Sequence, residues 1–430
     1  MVYNSSDYHC GEIIYHKEER IHGMKVGNAH DMRRMNRCSV IEILLRNESI
    51  SRADIVRQTG LNKATITNII NDFEQIGIVE DVGTVIASNG RRTAGIRLSM
   101  HDYVTLVIRI NRYELSFAYC SIHGELSDLK KVDITNDDNI ESILEKLEKY
   151  TRRLLDNRKE RKVLGISIGI LGWLFCSDGR MIAMTDAFPE LSKVDFREEM
   201  QKMFPGYMVM LNHDANLSAL AEWNEHIRNS DTNRGTLLSI IGGIGFGAGI
   251  IIDGQLFYGA NGIAGEIGHM GINFNSVNYS PNSTSSYRGT FEEYASPRAL
   301  QALVQDRLMD CPDTCLNENS KLYDIYEAYE KRDELAVWAV NRVARLLAYG
   351  LTGLVFVLNP DVIVLGDKII RSERFLQKLR SNLKDMLPAI LFEKLDLRLS
   401  SFDENAILLG ASVAMTKHYL ETHKIIDLLY

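Results

Sequence analysis

Apolar positions recur with a helical period three times between Ser39 and Val79. Val40, Ile41, Ile43, Leu44 and Leu45 give a first helix its stripe. Ser51 stands where a second helix needs an N-cap, with Asp54 three residues on as in a capping box and Ile55-Val56 turned inward. Gly60 ends that helix. Asn62 caps a third, whose Ile66, Ile69, Ile70 and Phe73 fall at i, i+3, i+4 and i+7 and form one buried face. The period then changes to a short strand after Gly77-Ile78-Val79, a turn at Ser88-Asn89-Gly90, the pair Arg91-Arg92 and a second strand through Ile96 and Leu98. Three helices and a two-stranded wing predict a winged helix-turn-helix over residues 31–98. Residues 1–30 show no strong period and predict a loosely packed arm.

From residue 101 to 430 strands alternate with longer helical stretches, the pattern of an α/β body with two lobes. Thr105 to Ile110 and Val163 to Ile168 read as strands, and Met208 to Leu211 runs into HDANLSALAEW. Between Ser239 and Ile272, Gly243, Gly245, Gly247 and Gly249 alternate with other residues, so that a backbone can come close to a ligand or a neighbouring strand. Asp253-Gly254, flanked by Ile and Leu, is a hairpin turn signal.

Composition and charge narrow the class. With 45% hydrophobic and 25% charged residues, 430 positions suffice for two or three ordinary globular domains. Unbroken apolar runs such as Leu354 to Leu358 are too short for a bilayer, and the N-terminus lacks a signal-peptide layout. A cytoplasmic protein with no membrane partner is expected. The six cysteines are scattered without a disulfide framework; Cys311 and Cys315 could hold a metal only with two further ligands, and otherwise belong to a surface loop. Residues 1–97 carry 13 Lys and Arg against 12 Asp and Glu, leaving 36 against 45 for the rest of the net charge of -8. A neutral-to-basic head on an acidic body suits a head that meets nucleic acid.

The candidate chemistry lies in two places. On the third helix Lys63, Thr65, Thr67, Asn68 and Asn71 fall outside the apolar stripe, and short polar side chains with one cation can hydrogen-bond base edges and phosphates in a major groove. Arg91 and Arg92 at the wing fit a narrow minor groove, where the negative potential is enhanced. In the body, Glu266 and His269 are spaced i, i+3, so that one helical turn aims a carboxylate and an imidazole the same way.

LNKATITNIINDFEQIGIV followed by NGRRTAGIRLS resembles the DNA-binding head of ROK-family repressors, and the run ending in Gly265-Glu266-Ile267-Gly268-His269 resembles the sugar side of the ROK body. Asn359-Pro360-Asp361 through Gly366 and Leu409-Gly410-Ala411 also match the family pattern. The resemblance implies an actin-like (ribonuclease H-like) two-lobed fold for residues 101–430, used for sugar binding and dimerisation. It also implies roles: Asp214 as the acceptor of a sugar hydroxyl (the general base in the kinases), Glu266 and His269 as sugar contacts, Glu292 as the residue that closes the site, and Gly172 in a loop whose backbone reaches the sugar.

Three departures from the family matter. The kinases of this fold end their first strand in an Asp-x-Gly-x-Thr turn that admits phosphates and organises a metal; here the turn is Arg109-Ile110-Asn111-Arg112-Tyr113, and both arginines are expected to fill that cleft. His213 replaces the usual Asn and changes how the sugar is met. The zinc-binding cysteine run of the family reads Ser283, Ser285 and Thr290 in the same register, so no zinc or other cofactor is expected, and Asn275 to Ser286 reads as a flexible loop. Together these predict a sugar-responsive transcriptional repressor with no catalytic residues, binding double-stranded operator DNA as a homodimer or higher homo-oligomer. The alternative is an ATP-dependent sugar kinase with an accessory DNA-binding head; a third possibility is a regulator whose pocket serves only assembly.

Overall fold

Two capping side chains shape the N-terminal head. Ser51 Oγ accepts from the Asp54 N–H at 3.0 Å and donates to Asp54 Oδ2 at 2.7 Å, and Asn62 Oδ1 accepts from the Thr65 N–H at 2.8 Å. In the computed structural model, which describes residues 29–86, 90–177, 180–184, 192–230, 234–243, 245–273 and 289–429, these caps start the second and third of three helices. They are α1 (Ala29–Arg46), α2 (Arg52–Thr59) and α3 (Lys63–Gln75). Gly60 ends α2 at φ 69°, a left-handed cap that glycine adopts without a Cβ penalty. Val40, Ile41, Leu44, Ile55, Ile66, Ile70 and Phe73 form the head's core, while Ile43, Leu45 and Val56 are only partly buried. A strand the sequence did not suggest, β1 (Ile50–Ser51), pairs with β3 (Arg92–Leu98), which also pairs with β2 (Val79–Ile86). Two residues are too few for a period to register. Nearly all of the arm, Ser88 and Asn89 of the turn, and the segment Asn275 to Ser286 lie outside the described residues.

The first body lobe is a five-stranded sheet in the order β10 (Met208–His213), β7 (Lys162–Ile170), β4 (Tyr103–Ile110), β5 (Glu114–Ser121), β6 (Leu126–Asp133), with β8 (Trp173–Ser177) and β9 (Arg180–Met184) as a separate hairpin. Its β4, β5 and β6 form an antiparallel meander, and β7 and β10 join parallel to β4. One face is covered by α4 (Ile140–Asp156) and α5 (Phe196–Met203), through Ile143, Leu147, Phe196 and Met200. The second lobe is another five-stranded sheet in the order β13 (Gln255–Leu256), β12 (Phe246–Ile252), β11 (Thr236–Gly242), β14 (Val362–Asp367), β15 (Asp396–Leu399). Asp253 and Gly254, both at positive φ (51° and 79°), make the predicted turn between β12 and β13.

Between the two sheets lie α6 (Asp214–Arg228) and a helix from the end of the chain, Ala406–Glu421. Strand β12 and the helix Ala406–Glu421 press on α6 at points where only glycine fits: a Cβ on Gly249 of β12 would stand 2.2 Å from the Ala215 carbonyl oxygen, and one on Gly410 would stand 1.8 Å from that of Leu217. Gly249 therefore serves the approach to a helix rather than to a neighbouring strand. The outer face of the second lobe carries α7 (Phe291–Ala295), α8 (Pro297–Arg307), α9 (Leu322–Glu330), α10 (Glu334–Leu358), α11 (Glu373–Met386) and α12 (Ala389–Phe392), and the helix Ala406–Glu421 is α13. By length and composition α10 could cross a membrane, which a count of unbroken apolar runs misses because Asn341, Arg342 and Arg345 interrupt them. Its Leu335, Ala339, Val343, Leu347, Leu351 and Leu354 are buried in the second lobe. Cys311 and Cys315 are free thiols ahead of α9, and the Cys315 N–H is bound by Asp333.

Head and body share one hydrophobic cluster that runs from Ile41 and Phe73 through Met100 and Tyr103 to α6, α13 and the last helix, α14 (Ile425–Leu429). Arg34 of α1 adds a polar tie, with its Nη atoms 2.6 and 2.8 Å from the two Asp427 carboxylate oxygens and 2.9 Å from the His423 carbonyl.

Candidate functional site

Strand β10 ends at His213, and α6 begins with Asp214, because a buried apolar strand here gives way to a helix whose first turn carries an acid. Asp214 Oδ1 accepts from the Ala215 N–H at 2.8 Å, which fixes the carboxylate over the helix start. His213 Nε2 lies 3.3 Å from Asp214 Oδ1 and 3.7 Å from Glu266 Oε1, so the imidazole stands between two carboxylates. The replacement for an amide is thus a ring held by both acids. Glu266 precedes a single 3₁₀ turn, Ile267–His269, and not the α-helical turn expected; His269 ends it, its N–H bonded to the Glu266 carbonyl at 3.2 Å. Gly172, at φ 89°, follows β7 two residues beyond Ile170, the partner of His213 in the sheet. The structure therefore gathers His213, Asp214 and Glu266 directly. His269 is placed by its turn and Gly172 by its strand.

Glu292 sits near the start of α7, whose cap is Thr290. Its Oε2 accepts the Phe246 N–H at 2.9 Å and would be 3.5 Å from a Cβ on Gly245 and 3.1 Å from one on Gly268. The carboxylate thus pins the glycine-rich hairpin and lies near Glu266. Burial pushes its pKa from 4.5 up to about 7, with the nearby Glu266 adding to the rise against the Phe246 N–H and Arg298. A carboxylic acid with a raised folded-state pKa binds protons more tightly folded than unfolded. Its stabilising effect is full below pH 4.5 and is lost as pH rises through about 7. Glu292→Gln, a mimic of the protonated form, should gain stability relative to the parent between pH 5 and 8, by on the order of 1 kcal/mol. Thermal unfolding across that range checks this, and a difference independent of pH would refute the assignment.

The two arginines of the first-strand turn part company. Arg109 is buried at the end of β4 and faces Asp367 of the other lobe, its Nη2 3.2 Å from Asp367 Oδ2. Arg112 is half-buried and lies over the Tyr113 ring, with 5.4 Å to its centroid. Asp367 was missed in the sequence, although an aspartate one glycine past the buried run Val362 to Leu365 is itself a signal.

On the head, Lys63, Asn68, Arg91 and Arg92 are exposed, whereas Thr65 and Thr67 are half-buried. The Thr67 hydroxyl is spent on the Lys63 carbonyl at 2.8 Å, and Asn71 lies 3.4 Å from Arg52. Arg37, Arg46, Arg52, Arg57 and Arg97 form ion pairs within the head. Helix α3 and the start of β3 thus present Lys63, Arg91 and Arg92, and Arg33 on α1 is exposed as well.

A three-helix head with a wing, docked on a two-lobed body of two five-stranded sheets, defines a DNA-binding regulator built on the actin-like fold of sugar kinases. Residues 106–418 match the ROK family, and residues 36–80 match the winged helix-turn-helix DNA-binding family. The chain belongs to the ROK family. It is similar to the xylose repressor of Caldicellulosiruptor bescii, 30% identical over 405 residues that make up 90% of this chain and 96% of that protein. The N-acetylglucosamine repressor of Escherichia coli O6:H1 is 25% identical over 362 residues, 82% of this chain and 85% of the relative. A solved ROK family transcriptional regulator, a homologue of the E. coli MLC protein, shares the fold with a TM-score of 0.74 at 24% identity, over 92% of this chain and 99% of the other.

Proposed function

We propose that this chain is a sugar-responsive repressor of carbohydrate-use genes, acting in the cytoplasm as a homodimer on double-stranded operator DNA. One observation carries the reading: α6 bears Asp214 at its first position and also contacts α1 of the head, so the helix that would meet the sugar touches the helix that supports DNA binding. Sugar binding draws the lobes together and shifts the population of head positions, so that two half-sites no longer fit at once. One head reads too little DNA for high specificity, which is the reason for a dimer. The relatives' names supply the probes: D-xylose and N-acetylglucosamine, with D-glucose alongside. At least one should release a gel-shifted operator at millimolar concentration. Release by none of them, with operator binding intact, would overturn the reading.

The kinase alternative loses support because Arg109, paired to Asp367, occupies the position where the family turn would supply its carboxylate. ADP production from ATP with the same sugars should stay far below the roughly 1 to 100 s⁻¹ of kinases. The chain is also proposed to need no zinc, since Thr290, in a cysteine register, caps α7 instead; Ser283 and Ser285 lie outside the described residues.

A further inference from the structure

Strands β4 and β14 belong to different lobes, and the carboxyl ends of such strands are where open α/β sheets take their ligands. Arg109 and Asp367 stand at those two ends, 258 positions apart in sequence. Both Nη atoms reach the carboxylate, at 3.2 to 3.3 Å, and the side chains are only 10% and 6% exposed. Local needs do not explain the pair. The Arg109 Nε is buried with no partner, and Asp367 holds a left-handed backbone at φ 56°, a conformation non-glycine residues adopt seldom. Each side accepts a local cost, and what is gained is a charged contact that ties one lobe to the other.

We propose that Arg109 and Asp367 form an interlobe latch that positions the two halves of the pocket, so that the far end of the crevice is held shut by the protein itself and the sugar closes only the near end. The pair is also wired to the pocket. Burial opposes the charge on Arg109, but Asp367 and then Asp214 outweigh it, so its pKa stands above the ordinary arginine value. Asp214 is therefore close enough for its charge to act on the latch. Arg109 and Asp367 act as positioning residues, through lobe geometry, and touch no sugar themselves. The part concerning sugar rests on the proposed function; the latch does not.

The test uses the full chain. Asp367→Asn should raise hydrogen exchange at residues 109–111 and 366–368 and enlarge the radius of gyration of the sugar-free protein in X-ray scattering. D-xylose affinity, read by calorimetry, should fall about tenfold, within the usual range of coupling between sites. Operator binding without sugar should stay within twofold of the parent, which shows the head is folded. The exchanged pair Arg109→Asp with Asp367→Arg should restore exchange protection and most of the affinity, which a residue that merely filled space would not. Should Asp367→Asn fail to fold, Arg109→Lys, which keeps the charge but loses the second prong, is read in the same way. Parent-like exchange, radius and affinity in a folded variant overturn the latch. If the parent binds no D-xylose, the sugar reading is what is in doubt, and the exchange and scattering measurements still decide the latch.

Discussion

Replacing Arg91 and Arg92 together by alanine should weaken operator binding tenfold or more and flatten its salt dependence, the slope of log K against log salt falling by about 1 to 2. The expectation follows from how the head disposes of its charge. Five of its arginines take part in ion pairs within the head, while Lys63 and the two wing arginines are exposed on the recognition helix and the wing. Arg92 starts β3 opposite Ile86, and Arg91 precedes it, so the β-ribbon carries both out beyond the core. Exposed cations on a stiff ribbon cost little to desolvate partially against phosphate, and a narrow minor groove deepens the attraction. Binding to an operator selected from random DNA, titrated from about 50 to 200 mM salt, checks both parts. An unchanged slope with unchanged affinity would remove the wing and leave α3 as the whole interface.

The recognition helix is a more divided case. Lys63 and Asn68 are exposed as their positions in the apolar period require, but Thr67 has turned its hydroxyl back onto its own helix and Thr65 is half-buried. A helical period tells which face a residue is on and not whether a neighbouring carbonyl already holds its hydroxyl.

The same division runs through the body. Caps, the buried faces of α3 and β4, and the turn at Asp253-Gly254 were legible because each depends on residues within a few positions. Short-range spacing also marked Glu266 and His269, although it could not distinguish a 3₁₀ turn from an α-helical one. What spacing could not supply is contact between distant segments. The bond from Phe246 to Glu292, the approach of His213 to Glu266, and the Arg109–Asp367 pair all join residues dozens to hundreds of positions apart. Asp214 and Glu292 were found in sequence only because their surroundings resemble a family. Asp367 follows a run that matches the family, but its role depends on Arg109, 258 positions away, which no spacing could supply.

Asp214→Asn should leave operator binding unchanged and make the protein nearly deaf to its effector. The substitution is conservative in shape: the amide oxygen can still accept the Ala215 N–H, so the start of α6 and its contact with α1 are retained. What is lost is the anion beside His213 and the strong acceptor for a sugar hydroxyl. A buried hydroxyl left without its partner costs about 1 to 3 kcal/mol, or roughly five- to 150-fold in the sugar concentration needed for release. Glu292→Gln offers the informative contrast. With its pKa near 7 and one oxygen already given to Phe246, Glu292 is only partly ionised at neutral pH, so its replacement should raise the midpoint less than Asp214→Asn does, and less still at pH 6 than at pH 8. Operator release is titrated with D-xylose or N-acetylglucosamine at the two pH values, for the parent and both variants. Equal midpoints in all three would mean that the carboxylates are relics and that the signal enters the body elsewhere. A large shift in Asp214→Asn, with a smaller and pH-dependent one in Glu292→Gln, is the outcome that the geometry around His213 and the Phe246 hairpin requires.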